Sequence, residues 1–207
     1  MKTLIAVPCM DSVPTPFCRS LAMLKKVGDC VISFQVSSLI YTARDNLAKK
    51  AIDLGADQIL WLDSDMVFNP DLMEQLLKVK QPDTIVSGVY YRRAAPFTPV
   101  AFSRLDIDEE GAEFEHLTEV PDHPFEVAGV GFGCVLMPTE AVVAVMLNHR
   151  QLFNPLKGAG EDLSFCWRAR KSGYKIICDP SIPLGHVAHT VVNADFYQAF
   201  NKEKDKC

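Results

Sequence analysis

"QILWLDSDMVFNPDL", residues 58–72, decides how the rest of the chain is read. Ile59 to Leu62 is a short, unbroken apolar run of the kind a buried strand carries. It ends abruptly in Asp63-Ser64-Asp65, and Asn69 and Pro70 then open a helix. In open parallel sheets, ligands bind in the crevice outside the carboxyl ends of the strands. Two carboxylates placed there repel each other unless a cation lies between them or one is protonated. A hard divalent cation, Mg²⁺ or Mn²⁺, suits such a pair, because these ions take one or two carboxylates and complete their coordination with substrate phosphates. The plain alternative is two aspartates that cap the following helix.

The flanking sequence repeats the strand-and-helix alternation. "KTLIAV" (2–7), "CVISFQV" (30–36), "QILWL" (58–62) and "DTIVSGVYY" (83–91) read as strands. Between them, Pro16 starts one helix that Gly28 stops, and "DLMEQLLKVK" (71–80) forms another. "TARDNLAKKAIDLGA" (42–56) is the clearest helix, with Thr42 and Asp45 as a capping pair, one face of Ala43, Leu47, Ala51 and Leu54, and Gly55 as the stop. Strands apolar on both faces and alternating with helices predict an α/β fold with a mostly parallel central sheet covered on both sides. From about residue 95, the short pieces "TPVAFS", "AEFEHLTEV", "FEVAGV" and "FGCVLMP" predict a smaller mixed or antiparallel addition. A helix near 139–147, a second beginning at "GED", a strand "KIICDP", an irregular "IPLGHVAH" and a short terminal helix in "NADFYQAFNKEKDKC" complete the reading.

Composition narrows the function. At 207 residues with 48% hydrophobic and 23% charged residues, the chain has material for one continuous core. A net charge of −5 argues against a general polyanion binder. Between Leu105 and His149 stand ten acidic residues and no lysine or arginine, read as a solvated acidic loop and a poor cradle for nucleic acid. Seven cysteines with no Cys-x-x-Cys spacing argue against a zinc site or disulfide framework and for a reducing, cytoplasmic location. No transmembrane segment approaches the ~20 apolar residues of a span, so any membrane contact is expected to be peripheral.

Two further motifs accompany the aspartates. "GAGEDLSFCWRARKSGYKI" sets Glu161 and Asp162 at a helix N-terminus, where the helix dipole favours an ionised carboxylate that can serve as general base. Their plain alternative is ordinary first-turn acids. "LGHVAH" supplies His186 and His189, either of which could complete a metal site, although a lone histidine is more often structural.

Together, "ARDNLAKKAIDLGADQILWLDSDMVF", "SGVYYRR", "VAGVGFGCVLMP", "GEDLSFCWRARKSGYKI" and "GH", in that order over about residues 3–190, resemble a glycosyltransferase of the GT-A fold, family-two-like, with its D-x-D motif. The resemblance implies one catalytic domain over 1–192, with a nucleotide-binding half (1–94), an acceptor-side half (95–192) and a tail (193–207). It implies sugar transfer from a nucleoside diphosphate sugar, UDP by preference, to an acceptor hydroxyl of a saccharide, a lipid-linked saccharide or another molecule, with Mn²⁺ or Mg²⁺ and inversion at the sugar carbon. It further implies Asp65, His186 and Asp63 as the metal set, with Asp63 also nearer the ribose and the metal's waters; Ser64, the spacer that lets both aspartates face the crevice, joins them at the donor. Asp162, beside Glu161, is implied as base; Ala6, Val7, Pro8 and Arg44 as nucleotide contacts; and Gly131 and Gly133 as points where the backbone approaches donor or acceptor. Arg93, with Arg92, could assist the leaving diphosphate, against a plain reading as solvated surface cations. The shortness of the chain and the basic "RRAAP" depart from the pattern and leave the acceptor open.

Three other readings compete. A nucleotidyltransferase that makes the activated sugar would open with a glycine-rich basic loop, and "VPCMDSVPTP" has neither glycine nor base. A silent nucleotide- or sugar-binding module would bind donor without releasing diphosphate. A transferase acting on DNA bases would be retained on DNA in a salt-dependent way.

Overall fold

The computed structural model describes residues 1–188. In chain order the elements are β1 (Lys2–Cys9), α1 (Thr15–Met23), β2 (Asp29–Val36), α2 (Ile40–Asp53), β3 (Gln58–Leu62), β4 (Met66–Phe68), α3 (Leu72–Val79) and β5 (Thr84–Val89). There follow β6 (Ala101–Ile107), β7 (Ala112–His116), β8 (Phe125–Val127), β9 (Gly129–Val130), β10 (Cys134–Pro138), α4 (Thr139–His149), α5 (Glu161–Lys171) and β11 (Lys175–His186).

The central sheet has the order β2-β1-β3-β10-β5-β11-β4, with β8 also paired to β11. β1 pairs in parallel with both β2 and β3, and β5 with β11, while β10 runs antiparallel between β3 and β5. The strand directions are therefore mostly parallel, with β10 the reversed member of the centre. A three-stranded antiparallel sheet, β7-β6-β9, forms the smaller addition.

Side-chain alternation along the strands divides the core into two layers. Leu4, Ala6, Ile59, Trp61, Val135 and Met137 face one way, against Leu47, Ala48 and Ala51 of α2, Val142 of α4 and Phe165 of α5. Ile5, Val7, Leu60, Leu62 and Leu136 face the other way, against Phe17 of α1 and Leu72, Met73 and Leu76 of α3. Beneath the strand ends lies an aromatic cluster. Trp61 meets Phe153 edge-on at 5.2 Å, Phe132 meets Phe153 at 5.3 Å, and Phe153 stacks on Phe165 at 4.5 Å.

Several sequence expectations are corrected. α2 begins at Ile40 with no side-chain cap. Asp45 instead accepts the Phe153 N–H at 3.0 Å and so ties α2 to the aromatic cluster. "FGCVLMP" is not part of the peripheral addition: β10 sits mid-sheet, because all five of its residues are buried and need cover on both faces. "IPLGH" is not irregular either. β11 continues through it after a register shift between Asp179 and Pro183, and its end pairs Gly185 with Val67 and His186 with Met66. β10 and β11, from the second half of the chain, flank β5 of the first in one sheet, as a single domain over both halves requires. The acidic stretch opens in the hairpin β6–β7, where Arg104, just before it, meets Asp106 at 3.2 Å and Glu113 at 2.9 Å. Residues 193–207, expected as a terminal helix, lie outside the described residues.

Phe153→Ala removes a ring that touches three others in a fully buried site, so it should cost about 3–5 kcal/mol of stability in a urea titration.

Candidate active site

The carboxyl ends of β1, β2 and β3 open onto a cleft of about 270 Å³, lined by Pro8, Met10, Ser37, Ile40 and the turn Asp63–Asp65. Backbone hydrogen bonds hold that turn from three sides. Asp63 N–H donates to the Gly133 carbonyl at 2.9 Å, Met66 N–H to the Asp63 carbonyl at 3.1 Å, and Val187 N–H to the Asp65 carbonyl at 2.8 Å. The turn is thus set by β10 on one side and by the end of β11 on the other.

That second tie brings His186 to Asp65. His186 Nδ1 lies 3.0 Å from the Tyr91 carbonyl. A carbonyl only accepts, so Nδ1 carries the proton, and Nε2 faces Asp65 Oδ2 at 3.4 Å. The ring of Tyr90 meets His186 edge-on at 5.4 Å and fixes its plane. The Asp65 carboxylate would accept a hydrogen bond from Nε2 once that nitrogen is protonated too, and so raises the His186 pKa, against burial. Burial pushes Asp65 up, but His186 and then Arg93 outweigh it and hold the carboxyl below its ordinary value. An imidazole nitrogen and a carboxylate oxygen at this separation suit Mn²⁺ as a ligand pair, and a carbonyl on the far ring nitrogen is the usual support for a metal-binding histidine. Among the described residues no group of three or more acidic, histidine or cysteine side chains is arranged around a metal position. A metal held by Asp65 and His186 would draw its remaining ligands from substrate and water.

The other two acids meet a buried cation. Arg44, 2% exposed, donates from Nη2 to Asp63 Oδ1 at 2.8 Å and from Nε to Glu161 Oε1 at 3.3 Å. Its guanidinium lies over the rings of Phe132 and Trp61, at 5.2 and 5.8 Å. Burial raises the Asp63 pKa, with Asp65 and Glu161 adding to the rise and Arg44 opposing it. Asp162 has no ion-pair partner among the described residues. Burial first, then the charge of Glu161, lifts it from 3.8 to about 6, partly offset by the Leu163 N–H that it accepts at 2.8 Å. A half-buried carboxyl poised near neutrality at a helix N-terminus is suited to accept a proton.

The remaining expected residues divide. Of Ala6, Val7 and Pro8, only Pro8 faces the cleft; Ala6 and Val7 are fully buried in the opposed core layers because β1 is a central strand. Ser64 lines the cleft between the two aspartates. Arg93 reaches Asp65 Oδ2 at 2.9 Å from an exposed loop. Gly131 and Gly133 have a packing cause: a Cβ at Gly131 would overlap the Tyr90 hydroxyl, and one at Gly133 would lie 2.7 Å from Tyr90 Cζ and 2.9 Å from Met66 Sδ. His189 lies outside the described residues. The sequence reading missed Tyr90, whose hydroxyl accepts the Gly133 N–H at 3.1 Å, and the cleft residues Met10, Ser37 and Ile40. Extending the strand-end rule to the segment after β2 would have found Ser37 and Ile40.

No family model matches the chain, and no curated protein matches it in sequence. Solved structures do. A197 from STIV superposes with a TM-score of 0.65 at 20% identity, covering 91% of this chain and 87% of its own. GalNAc-T7, solved with UDP, GalNAc and Mn²⁺, superposes with a TM-score of 0.62 at 11% identity. The fold is GT-A. The GalNAc-T7 match covers 99% of this chain, which spans 48% of the length of that neighbour.

Asp162 binds its proton more tightly in the folded chain than in the unfolded one, so its contribution to stability is fully present below about pH 4 and is lost as pH rises through about 6. Urea titrations across this window should show that slope in the wild type and a flatter one in Asp162→Asn.

Proposed function

We propose that the chain is a metal-dependent glycosyltransferase that moves a sugar from a nucleoside diphosphate sugar, UDP-linked by preference, to an acceptor hydroxyl with inversion. The observation that carries this reading is the convergence of Asp65 Oδ2 and His186 Nε2, 3.4 Å apart, at the mouth of a strand-end cleft in a GT-A fold. The UDP and Mn²⁺ named with GalNAc-T7 support the choice of donor and metal.

In this reading Asp65 and His186 hold Mn²⁺ or Mg²⁺, with Asp63 near the ribose and the metal's waters. The ion, when bound, offsets the charge that grows on the diphosphate as the sugar–phosphate bond breaks. Pro8, Met10 and Ile40 give the cleft an apolar wall for the nucleoside base, and Ser64 offers its hydroxyl to the ribose. Arg93, on its exposed loop, is free to leave Asp65 for a phosphate, because an exposed ion pair is worth no more than about 1 kcal/mol. Asp162 takes the proton from the acceptor hydroxyl as that oxygen attacks the sugar carbon from the face opposite the diphosphate. The electron pair of the broken bond leaves with the diphosphate. Glu161, turned into Arg44, is held away from that role. No helix among the described residues is long and apolar enough to cross a membrane, so the acceptor is reached without a helical span of the described chain.

Asp65→Ala should lower Mn²⁺-dependent release of UDP from a UDP-sugar about 100-fold or more. Asp162→Asn should keep the thermal stabilisation by UDP with Mn²⁺ yet lose transfer, together with the rise of kcat/KM near pH 6. Wild-type protein stabilised by UDP with Mn²⁺ that releases no diphosphate across a panel of UDP-sugars would make the chain a binding module instead.

A further inference from the structure

Arg44 is the most deeply buried cation beside the cleft, and it belongs to neither the metal pair nor the proton acceptor. It rises from the first turns of α2 on the face it shares with Leu47, Ala48 and Ala51, which packs against the central sheet. Two of its nitrogens are committed: Nη2 to Asp63 at the end of β3, and Nε to Glu161 at the start of α5. Nη1 is buried with no hydrogen-bond partner among the described residues. Phe132 and Trp61 pack against the guanidinium, so it cannot swing into the cleft without leaving both acids and its aromatic bed.

The two acids it joins stand 98 residues apart in sequence, and each adjoins a residue of the proposed chemistry. Asp63 is two residues from Asp65, and Glu161 is next to Asp162. Resting on the glycosyltransferase reading, we propose that Arg44 is a positioning residue. Its guanidinium clamps the metal-side turn to the base-bearing helix, and so fixes the distance between Asp65 and Asp162. It also sorts the acids at the helix start, engaging Glu161 and leaving Asp162 unpaired to act on the acceptor.

The fork geometry makes the clamp specific to arginine. A lysine carries the charge as a single point on a flexible stem and has no fork with which to meet two carboxylates through separate nitrogens. Arg44 contacts no bound reactant in this account; it acts through Asp63 and Glu161. The consequence is a split in kinetic constants: loss of the clamp should misplace base against donor and lower kcat far more than it raises the donor KM, because a shift of about 1 Å at the reacting centre can cost about 100-fold.

The test compares Arg44→Met, Arg44→Lys, Glu161→Gln and the double variant Arg44→Met/Glu161→Gln at temperatures where each is folded. The readouts are Mn²⁺-dependent transfer from a UDP-sugar to water or acceptor, and hydrogen exchange of the α5 first-turn amides, Leu163 to Cys166. Arg44→Met should lower kcat about 100-fold with less than a 5-fold change in donor KM, and should speed exchange at Leu163–Cys166. Arg44→Lys should recover part of both. The double variant should lose no more than Arg44→Met, because the Glu161 effect is carried by the same contact. Transfer constants unchanged in Arg44→Met alongside a lowered melting temperature would reduce Arg44 to a structural ion pair, and losses that multiply in the double variant would separate it from Glu161. If wild type turns over no donor, the glycosyltransferase reading fails on its own. The exchange arm still decides the clamp, which is overturned if Leu163–Cys166 exchange at the wild-type rate in Arg44→Met.

Discussion

Four carboxylates crowd one end of the sheet, and a single buried arginine engages two of them. Asp63, Asp65, Glu161 and Asp162 would repel one another if left to themselves at the strand ends. Arg44 engages Asp63 and Glu161, His186 and Arg93 engage Asp65, and Asp162 is left without a salt bridge among the described residues. The dependence runs in both directions. A guanidinium only 2% exposed needs its partners, since an unpaired buried charge costs several kcal/mol. The native arrangement therefore has to bring the end of β3 and the start of α5 together, and Arg44 helps to define the site that it also supports.

The sheet topology makes that meeting possible. Because β10 inserts between β3 and β5, its leading Gly133 carbonyl fixes the Asp63 turn, and its upstream Phe132 supplies part of the aromatic bed under Arg44. Because β11 bends after Asp179 and runs on to pair with β4, His186 arrives opposite Asp65 rather than in a loose tail. Gly131 and Gly133 leave room for Tyr90, whose ring then braces His186. The Asp63–Asp65 turn and His186 are thus held by elements from different parts of the chain, which is the rigid support that precise chemistry requires.

The strand–aspartate–helix sequence at 58–72, the paired acids at a helix start and the glycine-histidine near residue 186 were legible because each combines a local pattern with a chemical type. The alternation that predicts the parallel sheet is likewise local. The position of β10 was not legible: "GCVLMP" is uniformly apolar in the middle of the sheet or at its edge, and only long-range pairing decides between them. The continuation of β11 through Pro183 and Gly185 ran against local propensity and was decided by pairing with β4. The burial of Arg44 was half legible. Its spacing with Leu47, Ala48 and Ala51 places a charged residue on the apolar face of α2, an anomaly that calls for buried partners, but the spacing alone cannot say that Glu161, 117 residues away, is one of them. The side chains of Ala6 and Val7 lie in the core, so proximity in sequence to the cleft residue Pro8 does not carry them out of it.

The proposed chemistry turns on whether Asp65 and His186 together hold a divalent metal. Pulsed electron paramagnetic resonance of Mn²⁺ bound to the full chain with UDP tests this most directly, because a directly coordinated imidazole couples a ¹⁴N nucleus to the electron spin. The account predicts one bound Mn²⁺ with a nitrogen coupling that disappears in His186→Ala and survives in His189→Ala. A bound Mn²⁺ with no nitrogen coupling, or a coupling that persists without His186, would contradict it.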